Sequence, residues 1–408
     1  MDPRKPAHDA YDVVVDLEHL EPGAVPRYAF ALVKLTYELK DGRARPTAPE
    51  PLLFDVWRDE SLEPRLHPGS DFWPHKLASD VVIQGSAHVP GGNPKASMVA
   101  EASIGNRKKR IAVFGRREIS WTRSGQIQVG SPEPFLQMPL VYSNTYGGLD
   151  PRVPIPDEDR EAYMALAEQG LANDHPGGYP RNFVGKGYLV LPGPIEGLEM
   201  PNLEDPEDLL SPDRLVVGAP ELWPKQPLPW CFEWTDGIMF PRSLYLDRDA
   251  WYPCRDARLL PEIRRGLVPP AVLQPAAELP SEFYQEASFG MVFRTPLAGQ
   301  PVSLTGMHPE EPVLRFSIPA DPTIEFNVEG SRSVAKPLLT NLVIKPAEKK
   351  FSVVYCAKQA PLPRGFLPEI HKNIPISVRV NQGPPIPYVA PPTIRDRLAS
   401  ARPGQPPS

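Results

Sequence analysis

Cysteine is scarce in this sequence, and long hydrophobic segments are missing. The three cysteines, Cys231, Cys254 and Cys356, are odd in number and widely spaced, which suggests neither a disulfide framework nor a CxxC metal pair. No apolar run approaches the roughly 20 residues that cross a bilayer, and the first residues lead into no signal-peptide segment. We therefore expect reduced thiols, no membrane insertion and a cytoplasmic location.

Charge of one sign is not in excess either. The chain carries 44 basic and 50 acidic residues, which gives a formal net charge of −6. A nucleic-acid-binding protein needs a positive field that displaces counterions from phosphates, and this balance does not supply one. We expect no nucleic-acid partner.

The sequence also lacks recognisable signatures of catalysis. Gly85-Ser86-Ala87-His88 does not have the GxSxG spacing of a serine hydrolase. The glycine pairs are too short for a P-loop or a dinucleotide fingerprint, and neither HExxH nor a Cys/His cluster occurs. We assign no catalytic residue, no metal ligand and no cofactor.

Proline, in contrast, is abundant, with 56 residues in a chain of 408. Because proline breaks helix interiors, this number argues against a mainly helical fold and predicts many turns and edge strands. The hydrophobic content of 41% is sufficient for a buried core. The sequence predicts a mainly β fold, a β-rich sandwich or barrel-like architecture with few short helices and long Pro/Gly-rich loops.

Alternating and β-branched residues mark the individual strands. Tyr28 to Leu39 is the clearest strand, and Asp41-Gly42 after it is a typical hairpin turn. The same pattern predicts strands at Ser79 to His88, Ala96 to Ile104, Lys109 to Phe114, Gln126 to Val129, Val313 to Ile318, Thr323 to Val328, Leu338 to Ile344 and Phe351 to Tyr355. One helix is predicted at Pro156 to Leu171, where acidic residues occupy the first turn.

Shifts in composition divide the chain into four regions. We predict an N-terminal β-rich region over 1–227, with a helical insertion near 153–180, and an aromatic-rich connecting segment over 228–281. A second β-rich subdomain follows over 282–358, and a Pro-rich tail occupies 359–408.

Two surface features favour binding to another protein. The connecting segment contains Trp230, Trp234 and Trp251, and aromatic residues at this density indicate a core or an interface. The basic run Arg107 to Arg110 directly follows Gly105-Asn106, which predicts a hairpin turn. It is either a solvated hairpin turn or a docking patch for an acidic protein.

Five ordered motifs carry a resemblance to a known family. They are WPHKLASDVVIQGSAHVPGG, IAVFGRR, SPEPFLQMPLVYSNTYGG, NFVGKGY and MPNLEDP, and in order and spacing they resemble the DUF2169 family of bacterial proteins. The resemblance implies a cytoplasmic adaptor of the type VI secretion system, with an effector toxin and a VgrG or PAAR spike protein as partners. The helical insertion and the aromatic segment depart from the family pattern and are candidates for recognition of a particular partner.

The motifs supply candidate protein-binding residues, to which no chemical role is assigned. These are Trp73, His75, Lys76, Asp80, His88, Arg116 and Asn202, together with the three tryptophans of the connecting segment. If Lys76 and Asp80 share one strand, their side chains lie on the same face, because side chains alternate along a strand. They would then form a partly buried ion pair or part of a binding site.

The leading functional hypothesis is a non-enzymatic adaptor or chaperone. It would hold an effector segment by apolar contacts and extended-strand pairing until it is loaded onto the spike. One alternative is a hydrolase-type enzyme that uses His75, Asp80 and His88. Another is a structural component of a secreted particle.

Overall fold

The structure is a computed structural model, and it describes residues 11–18, 28–53, 71, 76–155, 157, 177–179, 181–234, 285–359 and 376–388. The predicted helix at 156–171 lies outside these residues except for Asp157, as does most of the predicted insertion. Within the described residues, no helix has the length and apolar character needed to cross a membrane.

The described part of the chain is mainly β, as predicted. Its strands in chain order are β1 (Asp12–Glu18), β2 (Tyr28–Lys40), β3 (Arg43–Pro46), β4 (Ser79–Ile83), β5 (Ser86–His88), β6 (Ser97–Ile104), β7 (Arg107–Phe114), β8 (Ile119–Trp121), β9 (Ile127–Val129), β10 (Gln137–Pro139), β11 (Tyr146–Gly147), β12 (Lys186–Gly187), β13 (Leu203–Glu204), β14 (Val292–Phe293), β15 (Pro301–Thr305), β16 (Val313–Ser317), β17 (Ile324–Val328), β18 (Ser331–Ala335), β19 (Leu338–Lys345), β20 (Lys350–Lys358), β21 (Ile376–Val380) and β22 (Ile386–Pro387). Short 3-10 helices occur at Pro90–Gly92, Tyr142–Asn144, Pro212–Arg214, Pro220–Lys225 and Pro346–Glu348.

The largest sheet has seven strands in the order β1-β2-β20-β19-β4-β14, with β3 paired to β2. Strands β19 and β4 run parallel, and the other pairs of this sheet are antiparallel. The predicted turn at Asp41-Gly42 joins β2 to β3, and both residues adopt positive φ angles, 52° and 71°.

Two further sheets complete the main body. A five-stranded sheet has the order β13-β7-β6-β15-β16, and a four-stranded sheet has the order β18-β17-β21-β22. All of the sheets are open paths among the described strands, so the sandwich alternative is favoured over a closed barrel.

The main sheets enclose one hydrophobic core. Phe316 of β16 stacks on Phe351 of β20 with ring centres 4.8 Å apart, and Tyr37 of β2 stacks on the same ring at 5.0 Å. Phe326 of β17 and Val378 of β21 belong to the same cluster of buried side chains. The alternating apolar residues that mark these strands in the sequence therefore form the inner faces of facing sheets.

The two β-rich regions of the sequence are interleaved in space. Strands β19 and β20, from 282–358, lie in one sheet with β2 and β4 from the N-terminal region. Strand β15 pairs in the same way with β6. The boundary placed after residue 227 stays a prediction, but neither region builds its main sheets alone.

Two strand assignments differ from the sequence interpretation. The segment predicted as one strand over 79–88 forms two, because Gly85 adopts a φ of 154° and the chain changes sheets between β4 and β5. The predicted tail over 359–408 contains β21 and β22, whose Ile376, Val378 and Val380 are buried against β17. The surrounding prolines hid a short alternating segment, ISVRV, that this sheet completes.

A second, smaller core lies in the irregular proline-rich part of the chain. Tyr146, Tyr179 and Tyr188 pack together, with Tyr146 and Tyr179 5.2 Å apart and Tyr179 and Tyr188 5.1 Å apart, and Trp223 lies 6.4 Å from Tyr179. Leu215 and Val217 are buried in the same cluster. This region is a packed loop region, as its recurring apolar residues predict.

Candidate functional site

A network of buried charges lies at the start of β4. Lys76 Nζ is 2.7 Å from Asp80 Oδ2, 3.1 Å from Glu286 Oε2 and 2.7 Å from Asn341 Oδ1. The buried Trp234 covers the same ammonium group, with its ring centre 5.5 Å away. A buried ion pair was one of the two alternatives for Lys76 and Asp80 if they shared a strand; Lys76 instead precedes β4 and reaches Asp80 across a bend.

Both members of this ion pair have shifted acidities. Burial by itself lowers the pKa of Lys76, but Asp80 and Glu286 outweigh it and raise that pKa above its usual value. Burial raises the pKa of Asp80, against the opposite influence of Lys76 and of the Glu286 backbone N–H. Lys76 is therefore held as a cation between two carboxyl groups. Removal of one partner would leave a buried charge uncompensated, so the pair serves the fold.

A second buried ion pair extends the network. Lys34 Nζ lies 2.8 Å from Asp71 Oδ2, and the other oxygen of Asp71 accepts a hydrogen bond from Asn341 Nδ2 at 3.1 Å. Asn341 on β19 thereby links the pair on β2 to the pair at β4. These contacts connect β2 to β19, which β20 separates in the sheet, and through β19 to β4.

Lys109 of β7 is also buried, but in a different environment. Its Nζ donates to the carbonyl oxygens of Cys231 and Phe289 at 2.5 and 2.7 Å, and to Ser288 Oγ at 3.0 Å. No carboxylate of the described residues lies within ion-pairing distance of this group, and burial lowers the pKa of Lys109 to about 7. The lysine therefore fastens two separate chain segments to β7 by their backbones.

An aromatic pair flanked by arginines lies on the surface above Lys109. Trp230 and Phe289 have ring centres 5.6 Å apart, and the Trp230 ring lies 4.5 Å from Lys109 Nζ. The Trp230 indole N–H donates to the carbonyl of Arg110 at 2.7 Å, and Phe289 is 41% exposed. Arg107 and Arg110 of β7 are both exposed, and alternation along the strand places their side chains on opposite faces of β7. We call Trp230, Phe289, Arg107 and Arg110 the Trp230 surface.

Arg107 and Arg110 of the Trp230 surface make further contacts. Arg107 Nη1 donates to the carbonyl of Val292 at 2.5 Å, and its guanidinium lies 4.4 Å from the centre of the Phe293 ring. Arg110 Nη2 lies 3.0 Å from Glu207 Oε1 in an exposed pair. Partly exposed aromatic side chains and exposed arginines are the residue types that contribute most to protein–protein binding.

Arg116 and Asn202 are brought together by a chain of polar contacts. Arg116 lies 2.6 Å from Glu199 and 2.7 Å from Glu118, and Lys186 bridges Glu199 to Asn202 Oδ1 with both distances 3.0 Å. Asn202 is buried and donates to the carbonyl of Phe114 at 3.1 Å, so it connects β13 to the end of β7. Arg116 is half-exposed, and its contacts are those of a surface ion cluster.

His88 lies in a different setting from Asp80. Its backbone N–H donates to the carbonyl of Gly306 at 2.9 Å, and burial together with nearby His308 lowers the pKa of the imidazole. His308 stabilises a turn, because its Nδ1 accepts from the backbone N–H groups of Glu310 and Glu311. Asp80 is occupied by Lys76 and by the backbone N–H of Glu286. No observation favours a joint catalytic arrangement of Asp80 and His88.

Three of the predicted residues, Trp73, His75 and Trp251, lie outside the described residues. Cys254 does as well, whereas Cys231 and Cys356 are buried thiols that form no disulfide. Burial raises the pKa of the Cys231 thiol to about 12. Among the residues that the structure describes, no group of three or more His, Cys, Asp or Glu side chains is arranged to hold a metal ion.

Sequence reasoning missed several members of these clusters. Phe289 and Glu286 lie in a stretch without clear periodicity, so nothing in the sequence relates them to β7 or β4. Lys109 stands in a basic run that suggests solvent exposure, yet Lys109, Ile111 and Val113 alternate along β7 and share its inner face. That alternation is the signal by which its burial could have been found.

Comparison with known proteins gives one match. No curated protein and no solved structure matches the chain. The family described as "Uncharacterized protein conserved in bacteria (DUF2169)" matches residues 25–356, well over half of the 408 residues. This confirms the resemblance that the five motifs suggest, and the chain belongs to the DUF2169 family.

Proposed function

We propose that the protein is a non-enzymatic cytoplasmic adaptor that binds a type VI secretion effector and helps to load it onto the VgrG/PAAR spike. The secretion context comes from the family resemblance. The observation that carries the binding role is the Trp230 surface. It presents a tryptophan, a phenylalanine and two arginines at the join of three chain segments.

The composition of this surface indicates the chemistry of its partner. Trp and Arg are the residues that most often dominate the energy of protein interfaces, because each combines a large contact area with directed hydrogen bonds. The aromatic pair and the exposed guanidinium groups of Arg107 and Arg110, one on each face of β7, fit a partner segment with apolar and acidic side chains. Lys109 reduces the entropy lost on binding because it already fixes the backbones of Cys231 and Phe289.

Among the strands that the structure describes, β18 lies at an open edge of its sheet, which suits a partner in extended conformation. The two-residue turn Glu329-Gly330 has positive φ angles of 50° and 87°, and it closes on the pair Val328 and Ser331. In such a hairpin the closing pair exchanges hydrogen bonds, so the backbone groups of Arg332 and Val334 point away from β17. Val334 is 68% exposed, which makes this edge available for strand addition.

Affinity purification of the tagged protein from its native cytoplasm tests the proposal. We expect mass spectrometry to identify a toxin or a VgrG or PAAR protein in near-stoichiometric amount. Phe289→Ala and Arg110→Glu should each reduce that recovery at least tenfold, because they remove an aromatic anchor and reverse a charge. Val334→Pro removes one edge N–H and should reduce recovery if the partner adds to β18.

Matched variants away from the Trp230 surface serve as controls. Leu136→Ala removes an apolar side chain that is 50% exposed, and Arg123→Glu reverses an exposed charge between β8 and β9. Both should retain full recovery. Folded Phe289→Ala and Arg110→Glu proteins that recover every partner at the wild-type level would exclude the Trp230 surface as the interface. Recovery of the protein alone would favour an enzyme, and its presence in particles from the medium would favour a structural component.

A further inference from the structure

A concave site lies on the outer face of the five-stranded sheet. It encloses about 510 Å³, and Ser103 of β6, Ser303 of β15, and Arg315 and Ser317 of β16 line it. Gly42, in the turn between β2 and β3, forms one wall. An added Cβ at Gly42 would be 3.6 Å from the Arg315 carbonyl oxygen, so this turn closely approaches the edge strand.

Strand register brings the polar residues of this site into one row. Ser103 is the direct cross-strand partner of Ser303, and Ser303 is the direct partner of Arg315. The residues that alternate with them, such as Ala102, Leu304 and Leu314, are buried in the core. The side chains in the row therefore all face outward, and direct neighbours have Cβ atoms about 4.5–5.5 Å apart.

These groups have no protein partner among the described residues. No carboxylate lies within ion-pairing distance of Arg315, and the hydroxyl groups of Ser103, Ser303 and Ser317 make no hydrogen bond there. The exposed lysine beside the row, Lys108, is paired instead with Glu101 at 3.1 Å. A concave site thus presents a guanidinium group and three hydroxyl groups with their hydrogen-bonding capacity unused.

We propose that this site binds a carboxylate group. The planar fork of Arg315 matches the two oxygens of a carboxylate, and the serine hydroxyls can donate to the remaining lone pairs. One guanidinium neutralises one carboxylate, whereas a phosphate monoester would keep about one further negative charge. The volume accommodates a carboxylate carried by a peptide, as an aspartate side chain or a C-terminus, or by a small organic acid.

Titration with defined probes tests the site on the full-length protein. The probes are a blocked tripeptide with a single aspartate, its asparagine counterpart, an uncharged tripeptide with a free C-terminal carboxylate, succinate, and inorganic phosphate. We expect at least one carboxylate probe to bind with a Kd on the order of 1 mM, as suits one exposed charged contact. The source of the carboxylate is given by the probe that binds most tightly. The asparagine peptide should bind at least tenfold more weakly than its aspartate counterpart.

Variants of exposed residues make the assignment specific. Arg315→Gln should weaken binding of the carboxylate probe at least tenfold, and Ser303→Ala should weaken it about threefold. Arg332→Gln changes an exposed arginine on another sheet and should leave the affinity for the probe unchanged. The proposal would be overturned if Arg315→Gln bound the tightest carboxylate probe as well as the wild type does, or if the asparagine peptide bound as tightly as that probe. Tighter binding of phosphate, or no binding of any carboxylate probe at 20 mM, would overturn it as well. The test involves no effector, so its result is independent of the adaptor proposal.

Discussion

At the scale of single residues, the buried charged groups of the described chain are compensated in different ways. Lys76 and Lys34 lie against carboxylates, Lys109 is surrounded by backbone carbonyls, and Asp150 accepts backbone and guanidinium N–H groups. These differences determine how each group responds to pH, because a pKa shift between the folded and unfolded states is a contribution to stability.

Asp150 is the most completely hydrogen-bonded carboxylate in this set. It accepts bonds from the side chain and backbone N–H of Arg152 and from the backbone N–H groups of Val190 and Leu191, at 2.8 to 3.1 Å. Burial alone would raise the pKa of Asp150, but these bonds outweigh it and lower the pKa from 3.8 to about 2. The folded state therefore binds this proton more weakly than the unfolded state does.

Asp150→Asn tests this contribution. Asp150 should supply about 2 kcal/mol above pH 4, which is lost as the pH falls towards 2. The variant should lack this acid-dependent loss and should be about 2–4 kcal/mol less stable at pH 7, because Arg152 loses its partner. Urea unfolding at pH 7, 4 and 2 measures both effects. Asp208→Asn, at an exposed ion pair, should change stability by less than about 0.5 kcal/mol.

Lys109→Met tests the buried lysine. Because the pKa of Lys109 is about 7 in the folded state and 10.5 ordinarily, the unfolded state binds its proton more strongly. Stability from this group should therefore rise with pH above 7, by about 2 kcal/mol between pH 7 and 8.5. Cys231 does not interfere, because its usual pKa of 9.0 and its raised folded pKa both lie above this window.

Urea unfolding at pH 7, 7.5, 8 and 8.5 measures this rise. The methionine variant should lose it, and Lys108→Met, at the exposed neighbour, should keep it. If Lys109→Met kept the wild-type dependence of the unfolding free energy on pH, the amine of Lys109 would not be desolvated in the folded state.

At the scale of secondary-structure elements, close backbone approach explains one short parallel pair. Gly147 of β11 pairs with Gly187 of β12 and adopts a φ of 153°. A Cβ at Gly147 would lie 2.2 Å from the carbonyl oxygen of Asn182. Asn182 cannot move easily, because its buried Nδ2 donates to Tyr142, Thr145 and Tyr146.

Gly147→Ala should therefore destabilise the protein by at least about 3 kcal/mol. Gly125, in the turn between β8 and β9, is a matched control, because its φ is also positive at 80° but a Cβ there would meet nothing within 4 Å. Gly125→Ala should cost about 1 kcal/mol, the cost of the backbone conformation alone. Comparison of the thermal unfolding of the two variants distinguishes the cost of the steric clash from the cost of the backbone conformation. Equal losses would mean that Asn182 moves aside.

The elements were predictable where one face of a strand is buried. Strands β2, β6, β7, β16, β17, β19 and β20 agree with the sequence prediction to within a few residues, because alternation reports burial directly. Short strands such as β11 and β12 carry too few residues for a pattern. Their pairing depends on contacts with distant residues, which periodicity does not encode.

At the scale of the whole molecule, β21 completes a sheet that the N-terminal part of the chain does not supply. Ile376, Val378, Val380 and Ile386 are each at most 5% exposed. Burial of four such side chains stabilises the protein by roughly 6–12 kcal/mol. Truncation after Gln359 should thus expose β17 and yield aggregated protein, whereas truncation after Tyr388 should keep the wild-type unfolding temperature. Soluble, cooperatively unfolding protein from the shorter truncation would show that β21 is dispensable.

The candidate site was predictable only in part. Trp230 was identified by the aromatic density around it, and the basic run by its composition. Their proximity to Phe289 depends on the fold, because these residues belong to segments that are far apart in sequence. The open guanidinium of Arg315 likewise becomes visible only when the register of β6, β15 and β16 is known.

The pairing of β2 with β20 also has a consequence for the synthesis of the protein. Leu35 is opposite Val353, so the apolar strand β2 leaves the ribosome long before the strand that covers it. At about 5–20 residues per second, that interval is on the order of 15 to 60 s. During it the nascent chain exposes a strand edge, and long-range pairing of this kind folds slowly. We therefore expect the newborn chain itself to be prone to aggregation until β20 has been synthesised and covers β2.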